Sequence, residues 1–163
     1  MIRHSVRALC AASLVIAPLV MSTPAHAATS CTVNGMPAPG PTVNGTAGSD
    51  SIRCSSVDAG SSVNGLGGND TIALTGPVDG SVSGGAGEDF ISAGSSSAVS
   101  GIVSGDDGSD YLSVSGSVAP GGQVLGGNQG DFLQVAVNAG TADGGAGADF
   151  CRVNSGNPPI NCP

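Results

Sequence analysis

Two apolar positions separated by one other residue recur along this chain, each pair standing two and four residues after an aspartate. They are Ile52 and Cys54, Ile72 and Leu74, Ile91 and Ala93, Leu112 and Val114, Leu133 and Val135, and Cys151 and Val153. This alternation is the period of a β-strand that turns one face inward. A third apolar column stands seven residues before the same aspartates, at Val43, Val63, Val82, Val103, Val124 and Ala142. The aspartates themselves, Asp50, Asp70, Asp89, Asp110, Asp131 and Asp149, follow one another at steps of 20, 19, 21, 21 and 18 residues. A period near 20 predicts coils whose short strands stack on their counterparts roughly 4.8 Å away. No coil can bury its own apolar column, so stacking must supply the core. The expected fold is all-β, a parallel β-roll or β-solenoid of about six coils. The stretch from seven before to four after each aspartate has constant length, whereas the connections between stretches hold 8, 7, 9, 9 and 6 residues. One side of the rod is therefore expected in strict register, and the other to tolerate bulges.

Glycine marks the corner between the strands. Gly45, Gly65, Gly84, Gly105, Gly126 and Gly144 each lie five residues before the aspartate, and glycine recurs two before it in all coils but the one with Gln129. Glycine permits positive φ and brings backbone carbonyls close together. Without this period, 28 glycines and only four aromatics in 163 residues would indicate disorder rather than a packed domain.

The first residues add a different pattern. Arg3 and Arg7 precede an apolar run at 8–20 and a small-residue "PAHA", the layout of a secretory signal cleaved after Ala27. The run is too short for a stable membrane span. The organisation expected is a signal peptide at 1–27, an N-terminal cap segment at 28–44, repeats at 45–153 and a C-terminal cap tail at 154–163. After cleavage, twelve acids face only Arg53 and Arg152. Such a net charge repels nucleic acid and anionic lipid and favours cations.

The phrases "GGAGEDFIS" at 84–92 and "GGAGADFCR" at 144–152 resemble the nonapeptide repeats of RTX (hemolysin-type) calcium-binding proteins, and the likeness extends from Gly45 to about Val153. The resemblance implies a parallel β-roll in which turn aspartates and glycine-turn carbonyls hold Ca²⁺ between coils. Carried over residue by residue, it implicates Asp50, Asp70, Asp89, Asp110, Asp131 and Asp149 as metal ligands. The chemistry is consistent: calcium takes six to eight hard oxygens, and a divalent ion between stacked carboxylates turns repulsion into attraction. Asp107 and Glu88 lie near the turns and could assist an ion. The alternative is that each aspartate closes an Asx-turn on its own backbone. Asp58, Asp79 and Asp143 fall in the variable half and read as solvated charges.

Cys31, Cys54, Cys151 and Cys162 bracket the repeats. An even count in an exported chain reads as disulfides. Three pairings are open, and sequence proximity favours Cys31 with Cys54 and Cys151 with Cys162. Cys151 takes an inward position in the last coil, where Cys162 can fasten the tail over the exposed end of the stack. Phe90, Tyr111, Phe132 and Phe150 each follow the aspartate directly, so alternation points them outward. They form either a stacked ladder that stiffens the sheet or an exposed strip that meets a sugar, a surface or another copy. The expected function is that of a secreted, non-catalytic, calcium-binding β-roll with a structural or interaction role, without membrane insertion. The alternative is an adhesion solenoid, or one that binds ice or carbohydrate with its flat outer face. An enzyme is the least favoured reading: residues 28–163 contain neither histidine nor lysine, and a rod has no evident cleft.

Overall fold

The computed structural model describes residues 29–163, and the signal segment expected at 1–27 lies outside them. The described residues form strands and turns, with no helix. One sheet begins with the hairpin β1 (Ser30–Val33) and β2 (Met36–Pro39). It continues from β1 through β4 (Ser51–Cys54), β6 (Thr71–Leu74), β8 (Phe90–Ala93), β11 (Tyr111–Val118), β13 (Phe132–Asn138) and β15 (Phe150–Gly156). The two-residue β9 (Ala98–Val99) joins it at β11. The second sheet runs β3 (Thr42–Asn44), β5 (Ser62–Gly67), β7 (Ser81–Ala86), β10 (Ile102–Asp107), β12 (Gln123–Asn128) and β14 (Thr141–Ala146). Every pairing between successive coils is parallel, so the molecule is the β-solenoid of about six coils that the period implies.

Register puts like on like. Ile52, Ile72, Ile91, Leu112, Leu133 and Cys151 pair in sequence along one sheet. Val43, Val63, Val82, Val103, Val124 and Ala142 do the same along the other. A one-residue slip would turn each apolar set to solvent, which is why alternation fixes register here.

The core has one more wall than the constant stretch reveals. Val57, Val78 and Val99 are joined by isolated parallel bridges, and Val99 pairs with Val118, which pairs with Asn138. All five are fully buried. They stand 7, 8, 10, 8 and 7 residues after their aspartates, and this drift hides the column from an alignment on fixed spacing. Connections of unequal length bulge outward so that the valines stay in line, as between Val114 and Ser117 in β11.

Both ends are closed by covalent clasps, Cys31–Cys54 and Cys151–Cys162, the pairing that proximity favours. At the start, antiparallel β1 lies on β4 with Cys31 directly opposite Cys54. At the finish, the tail crosses to the second sheet, where Ile160 bridges Asp143 and the Ile160 N–H donates to the Ala142 carbonyl.

Candidate functional site

The six turn aspartates are brought into one column at the corner where the second sheet passes into the first. None projects into solvent: their exposure is between 2% and 5%. Each backbone N–H donates to the carboxylate of the next coil. The N–H groups of Asp50, Asp70, Asp89, Asp110 and Asp131 reach the Oδ1 atoms of Asp70, Asp89, Asp110, Asp131 and Asp149 at 2.7–2.9 Å. The Asx-turn alternative therefore does not describe these five, because their carboxylates bond to a neighbouring coil. Asp50 alone closes on its own turn, its Oδ2 accepting from the Thr46 N–H and hydroxyl.

The second oxygen of the others is a different matter. Oδ2 of Asp70, Asp89, Asp110, Asp131 and Asp149 is buried without a hydrogen-bond partner. Such atoms are rare in folded proteins and expensive when charged. The glycine five residues earlier makes the room: a Cβ on any of these six glycines would lie 2.8 Å or less from the Oδ2 of its own coil's aspartate. The same point is crowded by a backbone carbonyl of the following coil or, at Gly144, of Asn161 in the tail. The invariance of glycine at this position is thus a steric consequence of a carboxylate folded back over it.

Electrostatics follow from the burial. Loss of water raises the Asp89 carboxyl to about 6 and that of Asp110 to about 7, opposed by the N–H bond each accepts and reinforced by repulsion from neighbouring carboxylates. Asp131 rises to about 6, again chiefly through burial. Asp70 rises for the same reason, whereas Asp50 is lowered, first by the Thr46 N–H. Repulsion along the column and desolvation both leave the interior members in want of positive charge.

One residue of this site escaped sequence reasoning. Asn34, at the hairpin turn with φ of 52°, directs its amide N–H₂ to Asp50 Oδ1, while its own Oδ1 accepts from the Ser51 N–H at 2.9 Å. In every later coil those two bonds come from the peptide groups of the preceding aspartate, as when Thr71 N–H donates to the Asp50 carbonyl. Asn34 stands in for a coil that is not there. An Asn-Gly pair in the cap segment was the only signal for it.

The remaining acids separate by face. Asp106 accepts from the Ser83 and Ser104 hydroxyls, Asp107 from Asn128, Asp79 from Ser100, and Asp143 from Asn161. Asp143 is therefore a cap contact rather than a merely solvated charge, and Asp58 is half-buried with one unpartnered oxygen. The aromatic residues form the ladder expected of them: Phe90, Tyr111, Phe132 and Phe150 stack at 4.8–5.2 Å between ring centroids.

The donor set around the column consists of oxygens alone, the kind that hard cations take. Among the described residues, no three metal-ligating side chains gather at one point, so an ion here would draw most of its ligands from backbone carbonyls. No protein-family model, curated protein or solved structure matches this chain. Among the described residues no helix is long and apolar enough to cross a membrane.

Proposed function

We propose that the protein is a secreted, non-catalytic rod with a structural or interaction role at the cell exterior, and that its aspartate column binds calcium between coils. The observation that carries the calcium reading is the row of five buried Oδ2 atoms without a partner. Each interior carboxylate already spends Oδ1 on a neighbouring N–H, which fixes its orientation, and keeps Oδ2 for a positive charge. Asp70, Asp89, Asp110, Asp131 and Asp149 are the side chains that would hold the ion, with Asp50 more nearly satisfied by Thr46 and Asn34. A bound divalent ion would supply charge neutralisation, and the chain supplies carboxylates already oriented by their Oδ1 hydrogen bonds. The two clasps support an exported role, since disulfides persist in oxidising compartments.

Titration calorimetry and thermal melts with calcium and with chelator test the proposal. Calcium should raise Tm, with affinity in the weak extracellular range of about 10⁻⁴ to 10⁻³ M. Asp89→Asn should reduce this calcium-dependent rise, and Asp58→Asn should leave it intact. A melt indifferent to calcium, or equal effects of the two substitutions, would remove the calcium reading while leaving the solenoid as it is.

A further inference from the structure

The twelve acids suggest a molecule that repels anions on every side, but the fold does not distribute them evenly. The outer face of the nine-stranded sheet is formed by the residues that alternate with its buried columns. Along the row one after each aspartate these are Ser51, Thr71, Phe90, Tyr111, Phe132 and Phe150. The next row holds Arg53, Ala73, Ser92, Ser113, Gln134 and Arg152, and the one beyond it holds hydroxyls, small residues and Asn154. No carboxylate stands on this face. Arg53 and Arg152, the two arginines among the described residues, do, exposed, together with all four aromatics. Asp58 and Asp79 lie on the third side, Glu88 and Asp107 at the turns, Asp106 and Asp143 in the second sheet, and the other six in the buried column.

We propose that this face is a docking surface for a sparsely charged anionic polysaccharide. The inference extends the interaction role above and does not depend on calcium. Charge is the first argument. At physiological ionic strength the Debye length is about 8 Å, so Asp58 and Asp79 on the third side are largely screened from a ligand lying here, while the aspartate column that borders the face is buried, with five of its Oδ1 atoms held by backbone N–H groups. Spacing is the second. Arg53 on β4 and Arg152 on β15 are separated by four intervening strands, or roughly 24 Å at 4.8 Å per strand. No single small anion reaches both, whereas a chain with anionic groups at intervals does. Nucleic acid fits poorly, since two cations cannot balance a phosphate every 3.4 Å or so of strand. Surface chemistry is the third. Beside Arg53 lies a groove of about 430 Å³ bordered by Ser30, Thr32, Pro37, Ser55 and Thr75, a guanidinium among hydroxyls without a competing carboxylate. The aromatic rings cover one another's faces, so they offer an apolar ridge to a sugar chain rather than a stacking platform.

Hyaluronan, with one carboxylate per disaccharide, is the probe, compared with neutral dextran and single-stranded poly(dT) at physiological salt. Binding is followed with calcium and with chelator, and circular dichroism reports the fold in each sample. Hyaluronan should bind the folded protein in either buffer, and dextran and poly(dT) should not. Arg53→Gln and Arg152→Gln should each weaken binding about threefold. The double variant should weaken it about ninefold, the product of the two, Arg53→Lys should restore part, and Asp79→Asn on another face should leave it unchanged. The proposal is overturned by absent hyaluronan binding to folded protein, by equal binding of dextran, by tighter binding of poly(dT), or by a double variant that binds as well as the parent. Self-association by sedimentation that vanishes in the double variant, without hyaluronan binding, assigns the face to a second copy and overturns it too. Loss of the calcium response alone leaves it standing.

Discussion

At the scale of single residues, the repeat is ruled by what it must do at its first copy. Five aspartate N–H groups have a carboxylate to donate to in the following coil, and each later carboxylate receives one. Asp50 has no preceding coil, and the Asn34 amide supplies both missing bonds. Asn34→Gly keeps the left-handed turn, which glycine adopts freely, and removes only the amide. It should cost about 1 to 3 kcal/mol in a denaturant melt, because the buried Asp50 Oδ1 loses its partner. A loss within error of zero would mean that water serves as well, and that the asparagine is there for its turn geometry alone. Sequence reading found the aspartates through their periodicity and missed Asn34, because a cap residue occurs once and has no period. Which oxygen of each aspartate is engaged was likewise not legible, since it depends on a neighbour 18 to 21 residues away.

At the scale of the element, the aspartate column is a ladder that holds like charges in line out of water. Burial holds Asp89, Asp110 and Asp131 at about 6, 7 and 6 in the fold, well above a carboxyl in an unfolded chain near 3.9. The folded state therefore binds protons more tightly than the unfolded one, and their contribution to stability grows as pH falls. It is fully present below pH 4 and is lost as pH rises through 6 to 7. In chelator, Tm should rise by about 5 °C or more between pH 7.5 and pH 4.5, opposite to ordinary acid denaturation. A Tm that falls over this range would mean that the carboxylates are ionised and stabilised in the fold by something other than a proton. The valine column at Val57, Val78, Val99 and Val118 is the element that fixed spacing concealed. Core packing selects which residue of a variable connection points inward, and that choice is made by the coils above and below.

At the scale of the whole molecule, stability is distributed along one dimension: each coil touches only its neighbours, so the ends are where the rod opens. Both clasps were legible in the even cysteine count and in sequence proximity, which favours this pairing among the three that four cysteines allow. The start of the rod is covered by a hairpin whose outer strand holds Pro37 and Pro39, residues that lack an N–H to offer a passing strand. The finish is covered less completely, since β15 has half-buried Cys151 and Val153 where earlier coils are buried, and the tail is secured by Ile160, Asn161 and the Cys151–Cys162 bond. Removing that bond with Cys151→Ser and Cys162→Ser should therefore act locally. Closing an 11-residue separation contributes about 3 kcal/mol in the chain-entropy account. Native-state hydrogen exchange should show amides of β14 and β15 losing protection, while those of β7 and β8 keep theirs, because three or more coils remain stacked around them. Equal loss of protection at β8 and β15 would show that the rod opens as a single unit and that its caps act on the whole stack at once.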